Sequence, residues 1–132
     1  MTKVLVFGSF DSLHPGHFYF LLEAKKYGDE LIVILGRSET IEKLKGKKPK
    51  YSEKERQKHL QLTGIPTKIL LGEINDKYKI IEKIKPDVIC LGYDQNSFTK
   101  NLEEELIKRN INVKIIRLKP YKEHIFKSSK LK

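Results

Sequence analysis

The sequence predicts one α/β domain, a Rossmann-like, doubly wound sheet of five parallel strands with helices on both faces. Three observations carry that expectation. Apolar runs of strand length recur five times along the chain, and segments with helical spacing separate them. The runs are continuous rather than alternating, as expected of strands buried on both faces of a parallel sheet. A chain of 132 residues can build one such core and has little left for a second.

The strands expected are "KVLVFG" at 3 to 8, "ELIVILG" at 30 to 36, "TKILLG" at 67 to 72, "DVICLG" at 87 to 92 and "NVKIIRL" at 112 to 118. Between them, 15 to 27 places Phe18, Leu21, Leu22 and Ala24 at helical spacing, and 53 to 62, 76 to 85 and 99 to 110 show similar patterns with charged faces. Four of the five runs end in glycine, which permits close approach of backbone or ligand at the carboxyl edge. Ligands of such sheets bind at that edge, near the point where the strand order reverses. The basic stretch "RSETIEKLKGKKPKY" at 37 to 51 reads as a helical turn followed by a mobile loop. Residues 120 to 132 read as a polar tail of the single domain, ordered only if something anionic meets it.

Charge and cysteine usage narrow the function classes. With 27 Lys+Arg against 17 Asp+Glu, a formal net charge of +10, anionic partners are favoured, phosphates and nucleic acids alike. The lysines are spread through every segment, and no RNA-binding signature or aromatic platform accompanies them, so nothing beyond charge points to nucleic acid. The single cysteine, Cys90, lies in an apolar run and reads as a small buried hydrophobe. One cysteine cannot form an internal disulfide, which suits a cytoplasmic protein. No apolar run approaches a membrane span and no leader-like N-terminus is expected.

The most informative stretch is "VLVFGSFDSLHPGHFYFLLEAKK". Gly8 ends a strand, and Pro15 suits the first position of a helix, where its missing N–H costs nothing. A helix N-terminus is thereby delivered to the ligand edge, where its N–H groups and dipole favour a phosphate. Gly16 lets the phosphate come close, and His14 and His17 flank the spot with side-chain donors that can stabilise charge developing on an oxyanion. Two other readings stay open. The pair can serve only to cap the helix, or can ligate a metal, although His59, His124, Cys90 and the carboxylates lack ligand-like spacing.

"GSFDSLHPGH" resembles the first signature of the HxGH nucleotidyltransferases, in the cytidylyltransferase-like branch with its G-x-F-D-x-x-H-x-G-H pattern. "GDELIVILGRSETIEKLKGKKPKYSEKERQ" is similar to that branch's second strand, lysine-bearing loop and arginine-bearing helix. Within the branch, "LKGKKP", "LGYDQNSF" and the tail resemble archaeal FAD synthases more than glycerol-3-phosphate cytidylyltransferases, which usually carry Asp-Trp where this chain has Asp94-Gln95.

The resemblance implies transfer of a nucleoside monophosphate from an NTP to a phosphate monoester such as FMN, with release of pyrophosphate and with Mg2+ carried by the phosphates. No direct protein ligation of the metal is implied, Asp11 reaching it at most through water. His14 and His17 would bind the triphosphate and stabilise the transition state, and Lys45 and Lys47 would be the loop cations, with Lys43, Lys48 or Lys50 as substitutes. Gly8, Ser9, Phe10, Asp11 and Gly16 would form the nucleotide turn. Arg56 would contact phosphate or nucleotide, or else pair with Glu53. Gly92, Tyr93, Asp94 and Gln95 would read the base or ribose. Phe126, Ser128 and Ser129 fall in "FKSSKL", which is similar to the branch's closing triphosphate motif, but the helix that should follow is nearly absent. The cysteines common near the C-terminus of archaeal FAD synthases are also missing. A homodimer is implied, as is common in the branch.

The best reading is FMN adenylylation by ATP. The alternative is a cytidylyltransferase using CTP and glycerol 3-phosphate or a similar small phosphate. A flavin acceptor needs an apolar slot, for which Phe18, Tyr19 or Phe98 are candidates if they are not core. Remoter readings are a non-catalytic nucleotide binder and a nucleic-acid-binding module.

Overall fold

The structure is a computed structural model and describes residues 1–73, 76–92 and 101–119. Among the described residues ten elements follow in order: β1 (Lys3–Gly8), α1 (Pro15–Lys25), β2 (Glu30–Leu35), α2 (Ser38–Lys45), α3 (Glu53–Thr63), β3 (Lys68–Leu71), α4 (Lys79–Ile84), β4 (Val88–Leu91), α5 (Leu102–Lys108) and β5 (Lys114–Arg117). The strands form one sheet in the order β3-β2-β1-β4-β5, and every pairing is parallel.

Strand alternation divides the core into two layers. Val4 and Val6 of β1 face one way with Leu21 and Ala24 of α1 and Leu60 of α3. Leu5 faces the other way with Ile80 and Ile81 of α4 and Leu102 and Leu106 of α5. Past Lys3 and Glu30 at their starts the central strands are apolar because both faces are covered, and β2 and β4 are buried along nearly their whole length. The outer strands differ: β3 alternates exposed and half-buried residues, and both ends of β5 are exposed. Continuous burial is therefore a property of the three inner strands alone.

Two aspartates fix the amino edge of the sheet. Asp29 accepts the Thr2 amide at 2.8 Å, and Asp87 accepts the Lys3 amide at 2.8 Å. These bonds leave the opposite, carboxyl edge for a ligand. The chain runs from β1 outward to β2 and β3, then crosses back to β4 on the other side of β1. The reversal puts a crevice between the carboxyl ends of β1 and β4.

The stretch 37 to 51 departs from the expected helical turn and loop. It contains a helix of 8 residues, α2, with Ile41 buried and Gly46 ending it in the left-handed region at φ 79°. Glu39 in its first turn and Lys43 and Lys45 in its last complement the helix dipole. The segment after it is held at its far end by the Asp11 carboxylate, described below with the site.

Candidate active site

The turn after β1 is built around a buried aromatic ring. Phe10 has φ 47°, unfavourable for a residue with a Cβ, yet it is only 3 % exposed. Burial of the ring offsets the backbone cost. It lies against Gly8, where a Cβ would stand 2.7 Å from a ring carbon, and its centroid is 5.3 Å from that of His17. The Phe10 ring therefore sits in the core beneath the turn, against the ring of His17.

The two histidines form a capping box on α1. His14 is the N-cap, and its Nδ1 accepts the Gly16 amide at 3.1 Å, while the His14 amide donates to His17 Nδ1 at 3.2 Å. The rings stack with centroids 3.9 Å apart. A Cβ at residue 16 would come within 2.9 Å of the His14 ring, so the cap requires glycine there. Because each Nδ1 is an acceptor, each neutral ring carries its proton on Nε2. Two N–H donors thus belong to a helix start whose first turn contains no acidic residue.

Asp11 and Arg56 join this turn to the neighbouring loops. Asp11 accepts the Lys50 amide at 2.7 Å and the Tyr51 amide at 2.9 Å. Burial alone would raise its carboxyl, but the two amides and the Arg56 and Lys45 charges outweigh it and hold the group below its ordinary value. Arg56 has no exposed surface. Its Nη1 donates to Gly36 O at 2.7 Å and Ser9 O at 3.0 Å, its Nη2 to Ser38 Oγ at 3.1 Å, and its Nε to Tyr51 O at 3.2 Å. The guanidinium is a buried hub, neither a surface phosphate contact nor half of a pair with Glu53, which instead accepts the Ser38 amide. Burial pulls its pKa down, opposed by the Asp11 and Glu53 charges.

Lys45 ends α2 and Lys47 follows Gly46, and both are exposed at the edge of the same region. Ser9 contributes its carbonyl to Arg56, and Gly8 O accepts the Gly36 amide at 2.9 Å, joining the ends of β1 and β2. Gly92 lies past β4, on the far side of the crevice, where its carbonyl accepts Arg117 Nη1 at 2.7 Å. Tyr93, Asp94, Gln95, Phe98, Phe126, Ser128 and Ser129 lie outside the described residues. Among the described residues, no group of three or more His, Cys, Asp or Glu could hold a metal ion.

Two arginines were not anticipated at the carboxyl edge. Arg37, the N-cap of α2, donates from Nε to Gly72 O at 2.7 Å, and Arg117 closes β5. The available signal was positional: each stands at or just past the end of an apolar strand run. Phe18 of α1, 39 % exposed, is absent from both core layers.

The geometry agrees with what the chain is similar to. The family described as Cytidylyltransferase-like matches residues 5–132. The FAD synthase of Aciduliprofundum boonei is 46% identical over 121 residues, covering 92% of this chain and 80% of that protein. The FAD synthase of Methanosarcina barkeri is 44% identical over 123 residues, covering 93% and 87%. A crystal structure described as the lipopolysaccharide core biosynthesis protein from Thermoplasma volcanium superposes with a TM-score of 0.85 at 38% identity, covering 92% of this chain and 98% of that one. The pantoate-beta-alanine ligase of Francisella tularensis, at 14% identity and a TM-score of 0.65, shares the fold. With the family matched over nearly its whole length and its histidine signature folded at the carboxyl edge of the sheet, the chain belongs to the cytidylyltransferase-like family of nucleotidyltransferases.

Proposed function

We infer that this enzyme makes FAD, transferring the adenylyl group of ATP to the phosphate of FMN and releasing pyrophosphate. The supporting comparison is the FAD synthase name shared by relatives 41% to 46% identical over most of the chain. The structural observation that carries the chemistry is the start of α1, where two stacked imidazoles meet at a helix terminus whose first turn contains no acidic residue.

An FMN phosphate oxygen attacks the α-phosphorus of ATP, forming one P–O bond as the bond to the β-phosphoryl oxygen breaks. The attacking oxygen is already ionised at neutral pH, so no carboxylate base is needed, and catalysis rests on alignment and charge neutralisation. His14 and His17 donate from Nε2 to the triphosphate as the departing pyrophosphate gains charge. Backbone groups of Gly8, Ser9 and Gly16 shape the turn around it. Lys45 at the end of α2 and Lys47 in the segment after it supply positive charge. Gly92 with Tyr93, Asp94 and Gln95 reads the base or ribose, Phe126, Ser128 and Ser129 add to triphosphate binding, and Phe18 with Tyr19 borders the flavin.

Mg2+ is proposed as the cofactor, neutralising phosphate charge when bound. A hard cation that keeps its waters and arrives on phosphate oxygens suits a site with no described carboxylate cage. A cytoplasmic location fits the free thiol of Cys90, and a homodimer is proposed from the resemblance to dimeric members of the branch, to be checked by light scattering. No described helix is long and apolar enough to cross a membrane.

The test is pyrophosphate release with Mg2+ in parallel reactions containing ATP plus FMN and CTP plus glycerol 3-phosphate. FAD synthesis requires release in the first and not in the second. Release with CTP and glycerol 3-phosphate alone would replace this reading with a cytidylyltransferase.

A further inference from the structure

The signature turn holds an aspartate that the chemistry above does not use. Its two oxygens are each engaged by a backbone amide, from the consecutive residues Lys50 and Tyr51, 39 and 40 positions away in the chain. Those residues lie just past the lysine segment. That segment leaves α2 at Gly46 and has only three more residues, 47 to 49, before the amides that Asp11 grips. Its near end is fixed as well. Ser38, which opens α2, donates its amide to Glu53 and accepts Arg56 at its hydroxyl. Arg56 in turn binds Tyr51 O, beside the Asp11 clasp, and Ser9 O, two residues before Asp11.

We propose that Asp11 is a positioning residue, whose carboxylate clasps the Lys50 and Tyr51 amides and thereby holds Lys47 in reach of the phosphates bound at the His14–His17 turn. The clasp couples the two halves of the site: the turn that binds the triphosphate is the same turn that anchors the cationic loop. A carboxylate serves here because two adjacent N–H groups match its two oxygens, and charge-assisted bonds of 2.7 and 2.9 Å are at the strong end of the range. Asp11 therefore acts through the loop, and neither on the metal nor on the nucleotide.

This proposal rests on the adenylyl-transfer reading, and its test has one arm that needs no substrate. Amide hydrogen exchange of the substrate-free full chain is compared between wild type, Asp11→Asn and Asp11→Ala. The clasp requires Lys50 and Tyr51 to exchange about 10-fold faster or more in Asp11→Ala while interior amides of α3 stay protected, with Asp11→Asn between. In the second arm, Asp11→Ala lowers kcat for FAD formation by about 10²-fold, the scale of a misplaced catalytic group. Its effect shrinks to within about 3-fold in a Lys47→Ala background, because a lysine that is gone cannot be misplaced. The Mg2+ concentration giving half-maximal rate stays within about 2-fold of wild type.

Unchanged exchange at residues 50 and 51 overturns the clasp. Fully additive losses in the double variant, or a wild-type rate for Lys47→Ala, overturn the link to the lysine. A Mg2+ midpoint raised about 10-fold or more in Asp11→Asn, with exchange unchanged, would make Asp11 a metal-site residue. Failure of the wild-type protein to make FAD sinks the functional reading, while the exchange arm still decides the clasp.

Discussion

Helices α1 and α3 begin in the same geometry and differ in chemistry. Ser52 caps α3 by accepting the Glu55 amide at 3.1 Å, and Glu55 returns the favour by accepting the Ser52 amide at 2.9 Å. Glu53 and Glu55 place negative charge in the first turn, where it complements the helix dipole. At α1 a capping box is made by His14, which accepts the Gly16 amide, and His17, which accepts the His14 amide, and the first turn holds no acid. One terminus is neutralised from within the protein, and the other keeps its positive end. The contrast teaches that capping strength alone does not account for the histidines, since Ser and Glu would cap as well or better. What they add is a pair of N–H donors at a site left for an anion.

Turning α1 into a copy of α3 breaks the comparison most severely. The variant His14→Ser, His17→Glu is expected to lose about 10³-fold or more in adenylyl transfer, because two donors go and a carboxylate enters the phosphate site. Its stability by urea denaturation is expected to stay within about 1 kcal/mol of wild type, a serine cap offsetting the lost ring contact with Phe10. Next in size is Arg56→Met, which strands the carbonyls of Ser9, Gly36 and Tyr51 without their shared donor. A loss of about 3 kcal/mol in unfolding free energy is expected from that change. The converse of the first variant, Ser52→Ala in α3, is expected to cost about 1 kcal/mol by the same assay and to leave turnover per folded molecule within about 3-fold.

Acid distinguishes the helix starts more gently. The carboxyls of Asp11 and Asp76 are held below their ordinary values: burial opposes this in both, but Lys50 and Tyr51 overcome it in Asp11, and Tyr78 and Arg109 in Asp76. A depressed folded-state pKa gives stability that is fully present above the unfolded value and lost as pH falls through the folded one. Stability is therefore expected to be steady between about pH 5 and 7 and to fall as pH drops below about 4. In Asp76→Asn part of that slope should vanish from the pH dependence of the urea midpoint. The smallest effect is at Cys90. Burial pushes its thiol up to about 11, so iodoacetamide at neutral pH should leave the native protein unlabelled and fully active, with labelling only on unfolding.

What the sequence revealed followed local pattern, and what it hid was non-local. Strand β1 ends where the apolar run "KVLVFG" ends, and β2 stops one residue short of Gly36, because continuous burial leaves a strong signal. Helix α2 was expected only as a helical turn because Ile41 is its single buried residue and Leu44 is 79 % exposed, so no apolar stripe marks its length. The histidine pair was legible because its bonds span two and three residues. Arg56 was not. It stands in a run of charges, Glu53 to Lys58, that reads as a solvated face, and its partners at Ser9 and Gly36 are 47 and 20 positions away. Asp11 was seen as part of a turn for the same reason, its acceptor role being set by residues 50 and 51.

The most direct test of an α1 terminus kept positive for phosphate is ATP binding and FAD formation, compared between wild type and the His14→Ser, His17→Glu variant. Wild type should bind ATP and make FAD from FMN. The variant should melt within a few degrees of it, bind ATP at least about 10-fold more weakly and make FAD about 10³-fold more slowly or less. A stable variant that still bound ATP and formed FAD at the wild-type rate would contradict the assignment and return the two histidines to the role of an ordinary cap.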